Sequence, residues 1–172
     1  MKLISFEFKA RLRDEAPIRR ALKRLRARYL GEDHQIDTYF KVARGRLKLR
    51  EGKIENALIF YNRANAPRAR RSTVEMTLLP RRNSVKQVLS RVLETLAVVD
   101  KCREIYFVGT VKIHLDRVPG LGMFVEVEAI SRSGRIARAR RLASRFRKMF
   151  RIPAANLVGE SYSDLVLQKL RR

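Results

Sequence analysis

Residues 111–130 read VKIHLDRVPGLGMFVEVEAI, and the alternation of apolar and polar side chains in this stretch predicts two strands. Between them, residues 119–122 combine a proline with two glycines, a composition that favours a tight reversal of the chain. Because side chains two residues apart share a strand face, each predicted strand gathers its polar side chains on one side. Those polar positions are Lys112, His114, Asp116, Glu126 and Glu128. The strand pair therefore has one apolar face and one strongly charged face.

The same two-residue spacing of charges recurs in three other segments that are predicted to be strands. The charged positions are Glu7, Lys9 and Arg11, then Arg46, Lys48 and Arg50, then Lys101 and Arg103. Two interpretations compete. In the first, each charged face is solvated and each apolar face packs beneath helices, as in an ordinary half-exposed sheet. In the second, about eight strands close into a barrel whose polar lumen holds one small ligand and whose apolar outside is covered by helices.

The rest of the chain predicts an irregular mixture of strands and helices. Helices are expected from Asp14 to about Leu30, from about Ser84, over residues 135–150 and over residues 161–170. In the second helix, apolar residues at helical spacing predict a buried stripe that consists of Val85, Val88, Leu89, Val92, Leu93 and Leu96. About eight strands with helices inserted at intervals lack the regular βαβ rhythm of a parallel sheet, so the expected class is α+β.

Composition limits the class of protein and of partner. The 172 residues favour one domain over residues 1–172, and the single Cys102 excludes an internal disulfide framework and a zinc site built from cysteines. No stretch approaches the roughly 18 apolar residues of a membrane helix, and residues 1–7 do not resemble a cleaved signal peptide, so a cytoplasmic location is expected. The formal net charge of +23 favours a polyanionic partner.

Eight segments, taken in order, link this sequence to a known family. They are residues 6–9 (FEFK), 35–40 (QIDTYF), 45–51 (GRLKLRE), 58–63 (LIFYNR), 71–72 (RS), 99–106 (VDKCREIY), 113–128 (IHLDRVPGLGMFVEVE) and 161–165 (SYSDL). Each is weak by itself, but together they resemble the motifs of the CYTH domain, also called the triphosphate tunnel metalloenzyme fold. The family includes class IV adenylyl cyclases, thiamine triphosphatases and inorganic triphosphatases.

The resemblance implies an antiparallel eight-stranded β-barrel with helices on its outside and a triphosphate lying along its tunnel. The implied phosphate-binding residues are Lys9, Lys48, Arg50, Arg63, Lys101, Arg103 and Lys112. The implied catalytic and metal-binding residues are Glu7, Glu126 and Glu128, with Mg²⁺ or Mn²⁺ as the cofactor. Two positions depart from the family pattern: Ser5 replaces the first glutamate of the amino-terminal signature, and Lys112 stands where arginine is common.

Three functions follow from these observations. Metal-dependent hydrolysis of inorganic triphosphate or of a nucleoside or thiamine triphosphate is favoured, and formation of cyclic AMP from ATP is the first alternative. The second alternative is a non-catalytic protein that binds polyphosphate or RNA, because Arg138, Arg141, Arg145 and Lys148 form a cationic stripe at helical spacing. No membrane partner is expected, and the protein is expected to be a monomer or a homodimer.

Three further side chains carry expectations of their own. His114 lies on the inward phase of its strand, as a hydrogen-bonded structural residue or as a general base. Cys102 lies on the opposite phase from Lys101 and Arg103, so we expect a core thiol. Tyr162 either helps to close one mouth of the tunnel or serves packing alone.

Overall fold

The computed structural model describes residues 2–131 and 136–171, which form nine strands and four α-helices. The strands are β1 (Lys2–Leu12), β2 (Arg28–Phe40), β3 (Arg46–Glu51), β4 (Ala57–Asn62), β5 (Arg70–Leu78), β6 (Thr95–Val108), β7 (Val111–Val118), β8 (Gly122–Ser131) and β9 (Leu157–Val158). The helices are α1 (Ala16–Arg24), α2 (Val85–Val92), α3 (Ile136–Met149) and α4 (Tyr162–Leu170). Among these described helices, none is both long enough and apolar enough to cross a membrane.

The sheet closes on itself. Its strands follow the order β5-β4-β3-β2-β6-β7-β8-β1, and β1 then pairs with β5, so that every neighbour in this ring of eight strands is antiparallel. The short strand β9 pairs with the end of β1 outside the ring. At the seam, Glu7 lies opposite Glu128 in β8 and opposite Arg70 in β5. The predicted α+β class and the closed antiparallel barrel are confirmed.

Two apolar clusters lie on opposite sides of the sheet. The larger cluster covers the outside of β1, β7 and β8, where Ile18 and Leu22 of α1 and Ala143 and Phe146 of α3 contact the strands. The smaller cluster lies inside the ring and includes Tyr162 of α4. Helices thus cover apolar outer faces of the strands, and the charged inner faces enclose a lumen, which we call the tunnel.

The first two helices differ from the sequence-based expectation. The first ends at Arg24 instead of about Leu30, because Arg26 adopts a left-handed φ of 48° and the chain from Arg28 onward pairs with β6. The second, α2, lies where expected, but the predicted buried stripe is wrong. None of its residues is buried, and Val92 is 70% exposed, because the helix joins neither apolar cluster.

The last two helices agree with the expectation, and Cys102 does not. The fourth helix begins as predicted, with Ser161 as a capping residue that accepts a hydrogen bond from the backbone N–H of Asp164. The third helix is observed from Ile136 onward, and its predicted start at residue 135 lies outside the described residues. Cys102 is half-buried and not the core thiol that was expected, because it lies on the outer face of β6.

Candidate active site in the tunnel

The tunnel contains a cavity of about 480 Å³. Nine of the ten predicted site residues line it: Glu7, Lys9, Lys48, Arg50, Arg63, Arg103, Lys112, Glu126 and Glu128. The structure brings these residues together because they occupy one phase of β1, β3, β6, β7 and β8 or, in the case of Arg63, the position directly after β4. The tenth, Lys101, lies on the same phase of β6 but is fully buried and does not line the cavity.

Lys101 is held by Asp37, a fully buried carboxylate of β2, three residues before the end of that strand at Phe40. Asp37 accepts two hydrogen bonds from Arg50, at 2.8 and 2.9 Å, and one each from Lys48 at 2.9 Å and Lys101 at 2.7 Å. Burial raises the pKa of Asp37, but Arg50, Lys101 and Lys48 outweigh it and hold that pKa well below its ordinary value. Burial lowers the pKa of Lys101 to about 7. The charge spacing in the sequence did not place Asp37 among the phosphate or metal ligands, although Asp37 organises three of the predicted cations.

A second buried carboxylate, Asp116 in β7, organises the other end of the cation cluster. Arg103 donates two hydrogen bonds of 2.6 Å to Asp116, and the hydroxyl of Tyr162 donates a third, also of 2.6 Å. Arg103 Nη2 also donates a hydrogen bond of 2.5 Å to Glu126 Oε2. The paired contacts fix the plane of the guanidinium, which therefore faces the cavity in one orientation.

Lys9 sits between Glu126 and the ring of Tyr162. Its ammonium nitrogen lies 3.2 Å from a carboxylate oxygen of Glu126 and 3.5 Å from the centre of the aromatic ring. Burial lowers the pKa of Lys9, whereas Glu126 acts in the opposite direction. Tyr162 therefore contributes to the site through both its ring and its hydroxyl, and α4 bears on the tunnel wall as well as on the inner apolar cluster.

Glu7 and Arg63 form an ion pair in the lining of the tunnel, with 3.2 Å between a carboxylate oxygen and the guanidinium Nε. Arg70 in β5 approaches the same carboxylate to within 3.8 Å, and its other contacts are to the backbone carbonyls of residues 66 and 158. Burial raises the pKa of Glu7, and Arg63 opposes that effect. Ser5 also lines the cavity, so the position where the family has a glutamate presents a hydroxyl here.

Glu55 was missed by the sequence analysis because it belongs to the loop between β3 and β4. It lines the cavity and forms ion pairs with Lys112 and with Arg50, the latter at 2.7 Å. The loop is held by Asp33 in β2, whose carboxylate accepts hydrogen bonds from three consecutive backbone N–H groups, those of residues 53–55. Gly52 allows this close approach, because a Cβ added there would lie 2.6 Å from Asp33 Oδ2.

His114, Glu126 and Glu128 form a cluster whose ligand atoms lie within 4.8 Å of one another. Burial raises the pKa of Glu128 to about 7, whereas Lys9 and Arg103 outweigh burial and hold the pKa of Glu126 well below its ordinary value. Both ring nitrogens of His114 lack a hydrogen-bond partner within the described part of the chain, so the expected hydrogen-bonded structural histidine is not observed. Two carboxylates beside an unpaired imidazole are a donor set that fits a divalent cation.

The basic residues of α3 lie outside the tunnel and differ from those of the lumen in how they are paired with acidic side chains. These basic residues lie on a groove of about 920 Å³ between α3 and Phe6, and those that line it are Arg140, Arg141, Arg145 and Lys148. No carboxylate in the described ranges 2–131 and 136–171 lies within 4.0 Å of a cation of α3, whereas the cations of the tunnel are paired with acidic side chains. Within the described ranges, the cations of α3 therefore carry charge that no nearby acidic side chain offsets.

Comparisons with known proteins agree with this geometry. The family model of the CYTH domain matches residues 3–162. A conserved hypothetical protein from Pyrococcus furiosus is similar with a TM-score of 0.80 and 21% identity, over 94% of this chain and 99% of the other. A candidate adenylate cyclase from Vibrio parahaemolyticus is also similar, with a TM-score of 0.76 and 21% identity, over 95% of this chain and 97% of the other. A candidate adenylyl cyclase from Hippeastrum, described as having a dominant triphosphatase activity, reaches a TM-score of 0.59 at 14% identity, over 92% and 91%. The search of curated proteins returned no match.

Proposed function

The chain belongs to the CYTH domain family, and from that premise we propose that it is a divalent-metal-dependent enzyme that hydrolyses a triphosphate-containing substrate in its tunnel. The observation that carries this proposal is the convergence of six cations and the His114, Glu126 and Glu128 cluster around one cavity of about 480 Å³. Phosphate oxygens are recognised by arginine and lysine, and divalent cations by carboxylates. One lumen therefore offers both halves of a metal–triphosphate complex their usual ligands.

The proposed phosphate ligands are the cations that line the cavity. In the structure, each of them is already ion-paired, and the substrate would take over these pairings with its own oxygens. The residues in this role are Lys9, Lys48, Arg50, Arg63, Arg103 and Lys112. Lys101 would add its charge from behind the cavity wall and would hold Asp37 against Arg50. Such fixed cations stabilise the charge that spreads over the transferred phosphoryl group.

The proposed metal ligands are Glu126 and Glu128, with Glu7 beside them in β1, opposite Glu128 in the strand register. A bound Mg²⁺ or Mn²⁺ would neutralise phosphate charge and polarise the phosphorus under attack. The chain's own contribution is to place the carboxylates: Arg103 and Lys9 hold Glu126 from two sides, and Arg63 holds Glu7. These contacts fix the catalytic glutamates in position before the substrate enters.

Hydrolysis is proposed ahead of cyclisation. The support is the structural relative from Hippeastrum, a candidate cyclase that is described as having a dominant triphosphatase activity. The test incubates the purified protein with Mg²⁺ or Mn²⁺ and with tripolyphosphate, thiamine triphosphate or ATP, followed by chromatography of the products. We expect release of orthophosphate from at least one substrate. Cyclic AMP with pyrophosphate would assign the cyclase reaction instead, and no product from any substrate would remove the enzymatic proposal.

The catalytic carboxylates are tested by substitution. The double variant Glu126→Gln, Glu128→Gln should lose metal-dependent turnover while the circular dichroism spectrum remains that of the unaltered protein. The matched control is Glu94→Gln, which removes an exposed carboxylate that pairs with Lys41. Turnover that survives in the double variant would refute the assignment of Glu126 and Glu128.

We also propose a second function, capture of RNA or long-chain polyphosphate by α3, because the cations of that helix lack acidic partners among the described residues. Single-stranded RNA binding would be followed by fluorescence anisotropy across a salt series. The triple variant Arg141→Gln, Arg145→Gln, Lys148→Gln should bind weakly and should reduce the slope of log K against log salt by about 2, at roughly 0.7 per phosphate contact. The control triple variant Lys2→Gln, Lys41→Gln, Lys86→Gln removes the same charge from exposed, paired sites. Equal losses in both variants would exclude a specific α3 surface.

A further inference from the structure

His114 is a buried side chain whose polar atoms have no evident purpose in the fold. It lies on β7, is 1% exposed, and neither Nδ1 nor Nε2 has a hydrogen-bond partner within residues 2–131 and 136–171. Leaving a buried polar group without a partner costs about 1–3 kcal/mol. Packing alone therefore does not explain the histidine, because an apolar side chain of similar size would fill the position without this cost in free energy.

The geometry around the ring shows which ligand it faces. Nδ1 lies 3.8 Å from an oxygen of Glu126 and 3.9 Å from an oxygen of Glu128. Both separations are too long for a hydrogen bond. They are the separations expected of donor atoms that surround a common cation, because ligands at 2.0–2.2 Å from one ion are themselves about 3–4 Å apart.

We propose that Nδ1 of His114 is a direct metal ligand together with Glu126 and Glu128, and that this nitrogen shifts the preference of the site from Mg²⁺ toward first-row transition ions such as Mn²⁺, Co²⁺ and Zn²⁺. The proposal deepens the proposed function, on whose metal site it rests. Imidazole suits transition ions, whereas Mg²⁺ favours carboxylate, carbonyl and water oxygens. His114 is in this sense a residue that determines metal specificity.

The test uses Mn²⁺ alone and reads nitrogen coordination directly. Pulsed electron paramagnetic resonance of the Mn²⁺-loaded protein should show coupling to a coordinated imidazole ¹⁴N. The chain has two histidines, and the second, His34, is an exposed residue of β2 that contacts Asp100. The variant His34→Asn should therefore retain the ¹⁴N coupling, and His114→Asn should lose it.

A second measurement checks specificity and guards against misfolding. His114→Asp keeps a ligand at the position but replaces nitrogen by oxygen, so competition between Mn²⁺ and Mg²⁺ should move toward Mg²⁺ by at least about tenfold, since even outer-shell changes alter metal affinity by 10–100-fold. The fraction of free Mn²⁺ is measured in the same instrument. An unchanged competition ratio in His114→Asp would overturn the specificity claim.

The outcomes separate this inference from the proposed function. Hydrolysis of a triphosphate by a Mn²⁺-loaded protein without ¹⁴N coupling, or coupling that survives in His114→Asn, would overturn the role of His114 and leave the enzyme proposal intact. Coupling assigned to His114 in a protein that hydrolyses none of the triphosphates would overturn the enzyme proposal and support the metal ligand. Failure of the unaltered protein to bind Mn²⁺ would overturn the inference.

Discussion

The strongest prediction concerns Asp37, which holds Lys48, Arg50 and Lys101. Each contact of 2.7–2.9 Å corresponds to about 6 kcal/mol of Coulomb attraction at an effective dielectric constant of 20, most of which offsets the cost of burying the charges. Removal of one partner from a buried charge cluster leaves the opposite charges uncompensated and costs about 3–5 kcal/mol. We therefore expect Asp37→Asn to lower the free energy of unfolding by about that amount at pH 7.

The pH dependence gives this prediction a second check. The pKa of Lys101 is lowered to about 7 in the folded protein, so above that pH the unfolded chain binds the extra proton and stability rises with pH. Loss of Asp37 should lower the pKa of Lys101 further, so that the variant begins to gain stability at a lower pH than the unaltered protein. The stability deficit of Asp37→Asn should consequently be larger at pH 5.5 than at pH 8.

The assay is urea denaturation followed by circular dichroism at both pH values. The matched control is Asp100→Asn, because Asp100 is an exposed carboxylate that contacts the exposed His34, and its loss should change stability by at most about 1 kcal/mol. A deficit in Asp37→Asn no larger than that of the control would refute the view that Asp37 organises the cation cluster. A large deficit that does not change between pH 5.5 and pH 8 would refute the part assigned to Lys101.

Two other substitutions test the scaffold of the site. Gly52→Ala should lower the free energy of unfolding by about 1–3 kcal/mol, because the new Cβ would lie 2.6 Å from Asp33 and force the loop outward, and a urea midpoint equal to that of the unaltered protein would contradict the close approach. Tyr162→Phe removes the hydroxyl that donates to Asp116 but keeps the ring, so the free energy of unfolding should fall by about 1.5–3 kcal/mol in the same assay. The control is Tyr29→Phe, which should have no effect because Tyr29 is exposed. Equal effects of the two substitutions would argue against the buried hydrogen bond.

Alternating charges made most of the tunnel predictable. The two-residue spacing in β1, β3 and β6–β8 placed side chains such as Lys48 and Arg50 on one face, and closure of the ring then brought those faces together. What spacing could not provide was the pairing within the lumen. The alternating charges did not mark Asp37 in β2 as part of the site. Glu55 lies in a loop, and it reaches the cavity because Asp33 of β2 binds that loop.

The misplaced expectations have a common physical origin. The apolar stripe of α2 satisfies the helical spacing that usually indicates burial, but burial also needs a surface to cover, and the two apolar clusters are completed by α1, α3 and α4. In the same way, the spacing that put His114 on the inner face could not reveal that its nitrogens would lack partners. Periodicity specifies which way a side chain points, and the tertiary fold decides what it meets.

The seam of the ring has a consequence for how the chain folds. Lys9 in β1 pairs with Glu126 in β8, more than a hundred residues later, so the barrel cannot be sealed until almost all of its strands have formed. Until then, the side of β1 that pairs with β8 exposes unpaired backbone groups that could recruit other chains. A topology dominated by such distant pairings is expected to fold slowly, on a timescale of roughly milliseconds to seconds. In the native state, the ring has no unpaired strand edge. Before the ring closes, the newly made chain is exposed to aggregation through the edge of β1.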